Sequence, residues 1–313
     1  MELGSDIVWI IISIAVVIGG ADQFTDGASA LARRLKVPSI VVGLTVVAFG
    51  TSAPELFVSL TSAAQGSAGM AVGNVMGSNI FNVLLIVGLS AVVAPFLVSK
   101  STVKKDVPWA VGATVLLLLL CMDGHISRVD GLLLLAGFVA FMVYTLRMAR
   151  TSGEEETDPV SSDVSVGSSV ALILCGLAAL VLGSNVFVSR ASDVASALGV
   201  SDAVIGLTVV AGGTSLPELA TSIVAARKGQ AALAIGNVVG SNVFNVLLIL
   251  GLASLVRPLG MEGITVVDFA LFAVSILLMW LMCRTSYKVT RWEGVILFIL
   301  FLAYISWLVF HAI

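Results

Sequence analysis

The chain has 313 residues, of which 58% are hydrophobic and only 11% charged, and its mean hydropathy is +1.11. Soluble domains carry about 25% charged residues, so the composition excludes an ordinary soluble enzyme and reads as an integral membrane protein. The net charge of −3 gives no basis for nucleic-acid binding, and the three cysteines (Cys121, Cys175, Cys283), in or beside apolar runs, argue against a disulfide framework or a thiolate metal site.

A spanning helix needs about 20 mostly apolar residues. In chain order such runs fall at 7–31, 38–64, 70–94, 107–122 and 129–148, and then at 168–190, 203–226, 232–256, 265–283 and 292–311. The first run is preceded only by Glu2 and Asp6, without a basic leader, and is expected as a retained span. The expected architecture is therefore all-α, with ten spans arranged as five plus five. Three segments follow: 1–150, an acidic, Ser-rich cytoplasmic linker at 151–167, and 168–313.

The two halves repeat one another. Residues 43–95 and 206–258 align without a gap at an offset of 163, with 33 of 53 positions identical. With the N-terminus outside, 13 of the 16 Lys and Arg fall in inner loops, and only Arg128, Arg190 and Arg257 lie outside. Five spans per half then insert the second copy upside down. Such inverted repeats place their sites near the bilayer midplane.

Within each repeat two short motifs carry the polar chemistry. The first is GTSAPE at 50–55 and GTSLPE at 213–218. Pro54 and Pro217 lack an N–H and loosen the preceding turn, freeing the carbonyls of Gly50 and Gly213. Thr51, Ser52 and Glu55 share one helical face, as do Thr214, Ser215 and Glu218. The second is GSNIFN at 77–82 and GSNVFN at 240–245, in which Ser78 and Asn82, and Ser241 and Asn245, lie four apart. Asn79 and Asn242 point off that face and read as helix–helix hydrogen bonds. Gly73, Gly77, Gly236 and Gly240 form small-residue stripes that let helices approach. Intramembrane carboxylates are costly and mark ion or proton paths. All the candidate ligand atoms are oxygen, which suits hard cations such as Na⁺, Ca²⁺ and Mg²⁺. Two carboxylates balance one divalent or two monovalent ions, so the ions compete for one site. An intramembrane hydrolase using Ser52 or Ser215 would need a base, and no histidine lies in either block. A passive channel fits inverted repeats with midplane acids less well than alternating access does.

These motifs resemble the two α-repeats of the Ca²⁺/cation antiporter superfamily, most closely the prokaryotic Na⁺/Ca²⁺ exchangers. The resemblance implies four adjacent cation sites. Glu55 and Glu218 would bind Ca²⁺ with the carbonyls of Thr51 and Thr214. One Na⁺ site would use Ser78, Ser215 and the carbonyl of Ala211, and another Ser52, Ser241 and the carbonyl of Ala48. Asn82 and Asn245 would flank the middle site. It also implies exchange of about three Na⁺ for one Ca²⁺ by alternating access, with the first and sixth spans sliding across a rigid core. Many relatives, including the K⁺-dependent branch, carry Asp at the position of Asn245, so no K⁺ co-transport is expected here. Ca²⁺/H⁺ antiport on the same fold is the alternative reading. The expected setting is a multi-pass protein of the cell (inner) membrane that exports Ca²⁺. It has lipid, Na⁺ and Ca²⁺ as partners, no cofactor, no enzymatic activity and no obligate protein partner.

Overall fold

The structure is a computed structural model that describes residues 2–151, 165–200, 205, 209 and 211–312. It is helical throughout apart from short strand pairs. The helices are α1 (Glu2–Leu35), α2 (Ser39–Thr51), α3 (Ala53–Gln65), α4 (Ala68–Val93), α5 (Thr102–Asp123) and α6 (Arg128–Thr151) in the first half. In the second half they are α7 (Val166–Ala197), α8 (Ala211–Thr214), α9 (Leu216–Arg227), α10 (Ala231–Val256), α11 (Val266–Ser286) and α12 (Arg291–Ala312). Among the described residues eight helices are long and apolar enough to cross a membrane, or nine if α2 and α3 count as one. The remaining expected span, 203–226, is only partly described, because 201–204, 206–208 and 210 lie outside the described residues. Most of the expected linker, 152–164, lies outside them as well.

The expected span 38–64 is not straight. Its two pieces, α2 and α3, meet at 48° around Ser52, whose backbone (φ −81°, ψ 6°) leaves the helical region. Pro54 sits in the first turn of α3, where its missing N–H costs nothing. Ser215 (φ −93°, ψ 8°) makes the same break between α8 and α9, with Pro217 in the first turn of α9. Wide π-type turns occupy Gly43–Val47, Asn82–Val87 and Phe244–Leu250. Such insertions rotate the register of a helix and cluster at functional positions.

The helices α4 and α10 form the centre. Within their apolar windows 78% and 83% of residues are buried, against 17–39% in the other full-length spans. Around this pair several contacts among the described residues recur with the halves exchanged. Glycines make the close approaches. A Cβ on Gly88 of α4 would lie 3.1 Å from the Gly294 carbonyl of α12, and one on Gly131 of α6 would lie 2.9 Å from the Gly251 carbonyl of α10. Gly20 of α1 meets Gly176 of α7, and Gly183 of α7 meets Ser13 of α1, in the same reciprocal way. Two antiparallel strand pairs close the ends of the bundle. They are β1 (Phe96–Leu97) with β4 (Lys288–Val289), and β2 (His125–Ile126) with β3 (Leu259–Gly260). Each pair again joins one half to the other at the repeat offset.

The long helices α1 and α7 pack along one another at one side of the bundle. Lys228, just past α9, ties α1 to the core through 2.7 Å ion pairs to Asp22 and to Asp26.

Candidate cation site

The breaks at Ser52 and Ser215 point the first turns of α3 and α9 at each other, and a carboxylate rides on each turn. Glu55 is fully buried and Glu218 is 1% exposed. Each acid is held by a serine from the opposite half. The Ser52 hydroxyl donates to Glu218 Oε1 at 3.1 Å, and the Ser215 hydroxyl donates to Glu55 Oε1 at 3.1 Å. Because Ser52 lies three residues before Glu55 and Ser215 three before Glu218, the crossed bonds bring the two acid-bearing turns together.

Ser78 of α4 joins the same cluster, 3.5 Å from Glu55 Oε1 and 3.4 Å from the Ser215 hydroxyl. Its counterpart Ser241 of α10 is fully buried, and its hydroxyl has no hydrogen-bond partner among the described residues. The Ala48 carbonyl accepts from the Ser52 N–H at 3.0 Å. Ala48 is buried beneath α10, where a Cβ on Gly240 would lie 2.7 Å from its methyl. Ala211 is the first residue of α8, and Thr214 closes that helix beside the break. The Thr51 hydroxyl lies 3.0 Å from Asn237 Oδ1 and 3.1 Å from the Val47 carbonyl, both acceptors, so its single proton is committed within the protein.

The asparagines form a second crossed pair where α4 meets α10. Asn82 Nδ2 donates to Asn242 Oδ1 at 3.0 Å, and Asn245 Nδ2 donates to Asn79 Oδ1 at 2.9 Å. Asn79 Nδ2 also reaches the Asn242 carbonyl at 3.2 Å. Asn79 and Asn242 thus serve as the expected helix–helix hydrogen bonds. With the amide nitrogens of Asn82 and Asn245 engaged, their oxygens face the other way.

Two pairs of residues that the sequence reading did not assign complete the frame. Asn74 Nδ2 donates to the Glu55 carbonyl at 3.2 Å and to the Ser59 hydroxyl at 2.9 Å. Asn237 Nδ2 donates to the Glu218 carbonyl at 3.4 Å and to the Ser222 hydroxyl at 2.9 Å. These amides fasten α3 to α4 and α9 to α10 at the level of the acids. The available signal was the position of Asn74 and Asn237, four residues before Ser78 and Ser241 and so on the same helical face.

Buried polar groups are almost always hydrogen-bonded. Here Glu55 Oε2, Glu218 Oε2, Asn82 Oδ1, Asn245 Oδ1 and the Ser241 hydroxyl are all buried without a partner among the described residues. A serine can turn its hydroxyl to its own helix, but a carboxylate or fixed amide oxygen has no such refuge. Four oxygens of this kind, two anionic and two neutral, make a donor set for a hard cation. Among the described residues no cluster of three or more His, Cys, Asp or Glu exists, so no softer metal site competes.

Comparison with known proteins agrees with this geometry. The chain matches the family described as sodium/calcium exchanger protein over residues 5–147 and 168–310, one match per half. It is 37% identical over 310 residues to the putative antiporter CaxA of Alkalimonas amylolytica, covering 95% of this chain and 96% of the relative. It is 31% identical to the sodium/calcium exchanger MaX1 of Methanosarcina acetivorans, covering 95% and 96%. Among solved structures it superposes on the sodium-calcium exchanger NCX_Mj soaked with 10 mM Na⁺ and no Ca²⁺, with a TM-score of 0.86 at 32% identity over 97% of this chain and 99% of that one. Its relatives are ion exchangers and not enzymes, and the chain belongs to the sodium/calcium exchanger family of antiporters.

Proposed function

We propose that the protein exports Ca²⁺ from the cytoplasm in exchange for entering Na⁺, at one shared site and by alternating access. The observation that carries this reading is the set of partnerless buried oxygens of Glu55, Glu218, Asn82 and Asn245. Taking an unpaired carboxylate out of water costs several kcal/mol, so two of them need cationic cargo at nearly all times. Ca²⁺ or two Na⁺ neutralise the pair, and neither fits beside the other. In this reading Glu55 and Glu218 hold Ca²⁺ with the carbonyls of Thr51 and Thr214. Flanking Na⁺ ions use Ser78, Ser215 and the Ala211 carbonyl, and Ser52, Ser241 and the Ala48 carbonyl. Asn82 and Asn245 line the middle position. Exchange of about three Na⁺ per Ca²⁺ then moves one net positive charge inward.

The topology belongs to the same proposal: ten spans in two inverted five-span repeats (1–150 and 168–313), the N-terminus outside, the 151–167 linker in the cytoplasm, and the chain in the inner cell membrane. The crossed contacts at the repeat offset support it, since each half meets the other through equivalent residues. The excess of Lys and Arg in the assigned inner loops supports the orientation.

The test is Ca²⁺ uptake into vesicles holding the purified protein, with Na⁺, K⁺ and pH gradients imposed one at a time. Uptake driven by internal Na⁺ alone is expected. Uptake driven by a pH gradient without Na⁺ would select the Ca²⁺/H⁺ antiporter instead. K⁺ is expected to have no effect, because the amide of Asn245 adds no charge to the middle position. Asn245→Asp is expected to introduce K⁺ stimulation of the same flux, and strong K⁺ dependence of the unaltered chain would overturn this reading.

A further inference from the structure

Away from the acids, the strand pair β1–β4 brings the first turn of α5 beside the last turn of α11 and leaves a cavity of about 200 Å³ between them. That is room for roughly seven waters. Val103, Lys104, Trp280, Arg284 and Tyr287 line it. Its apolar wall is fixed, because the Trp280 indole N–H donates to the Val103 carbonyl at 2.9 Å across the two helices. The Arg284 guanidinium lies 5.9 Å from the centre of the Trp280 ring. Tyr287 ends α11 in the left-handed region (φ 52°), where it carries the chain round into β4, and Lys100 lies 5.5 Å over its ring.

Among the described residues neither Lys104 nor Arg284 pairs with a carboxylate. Two cations of separate helices therefore border one small cavity without a counter-anion. Arginine's planar fork matches phosphate in a bidentate way, and lysine adds a point charge. Both helices are long, apolar spans, and the cavity sits where they end. Leu277 and Leu281 are exposed and continue the Arg284 stripe of α11 toward the middle of the helix. A free anion has no use for that apolar track, whereas an acyl chain does.

We propose that this cavity binds the phosphate of an anionic phospholipid. Lys104 and Arg284 clamp the phosphate, Tyr287 offers its hydroxyl, and an acyl chain lies along Leu281 and Leu277. Basic pockets between membrane helices are suited to such headgroups. The site is independent of the ion reading, since it shares no residue with it.

The experiment uses the purified full-length protein in detergent, titrated with phosphatidylglycerol, with phosphatidylcholine or with inorganic phosphate. Bound lipid is counted by native mass spectrometry and stability is followed by thermal unfolding. The wild type is expected to retain phosphatidylglycerol over phosphatidylcholine and to unfold at a higher temperature with it, while inorganic phosphate has no effect. The K104Q/R284Q double variant is expected to bind phosphatidylglycerol roughly 30-fold more weakly. K105Q, at an exposed lysine that does not line the cavity, is expected to bind as the wild type does. Equal binding of the two lipids, unchanged binding by the double variant, or an equal loss in K105Q would overturn the proposal. Stabilisation by inorganic phosphate that the double variant abolishes would overturn the lipid assignment and make the cavity a free-anion site.

Discussion

Replacing Glu55 or Glu218 by glutamine keeps the shape of the side chain and its bond from the opposing serine, and removes one charge. Breaking a buried charge pair costs about 3–5 kcal/mol, so each variant is expected to bind Ca²⁺ some 10²- to 10³-fold more weakly and to lose Na⁺-driven uptake. Isotope flux and equilibrium Ca²⁺ binding check this, and unaltered uptake in both variants would defeat the assignment. Asn74 and Asn237 are of a different kind. They touch the backbone carbonyl of the acid and the serine beyond it. In Asn237→Leu the Glu218 carbonyl and the Ser222 hydroxyl lose a partner, while the Thr51 hydroxyl keeps the Val47 carbonyl. A loss of about 1–3 kcal/mol per orphaned group is expected, read as a fall in unfolding temperature that exceeds the change in Ca²⁺ affinity. The acids, serines and Asn82 and Asn245 were legible in the sequence because they interrupt apolar runs twice at one offset. The bracing role of Asn74 and Asn237 was not, because it depends on which neighbouring helix each faces. Nor could spacing along one chain reveal that Ser52 serves Glu218 and not its own helix's Glu55.

The helices reach these distances because glycine removes the side chain at their crossings. A Cβ on Gly240 would lie 2.7 Å from the Ala48 methyl and 2.8 Å from the Leu44 carbonyl. Gly240→Ala is therefore expected to cost about 1–3 kcal/mol by overpacking. Thermal unfolding of this variant in detergent checks this, and an unchanged unfolding temperature would contradict the packing account. The sequence places Gly240 in a small-residue stripe, but which atoms of α2 it meets depends on the folded packing. The run at 38–64 was likewise recognised as a span, with its weak point at Pro54. Its 48° bend and the π turns at Asn82 and Phe244 leave no mark in hydrophobic periodicity.

At the scale of the molecule, the expected exchange carries one net charge per cycle. A membrane potential of 100 mV is worth about 2.3 kcal/mol per elementary charge. An imposed potential of that size is therefore expected to multiply the limiting Ca²⁺ gradient about 50-fold, and its reversal to divide it by the same factor. Clamping the voltage with a K⁺ ionophore while following Ca²⁺ flux measures this, and indifference to voltage would point to an electroneutral ratio of two Na⁺ per Ca²⁺. The crossed bonds from Ser52 to Glu218 and from Ser215 to Glu55 also bear on how such a protein ages. Once a duplicated gene has interlocked its copies in this way, neither copy is free to drift at these positions, because damage to one is suffered by the other. A chain severed between the copies is expected to move no ions from either fragment alone, and to regain flux when both fragments are expressed in the same cell.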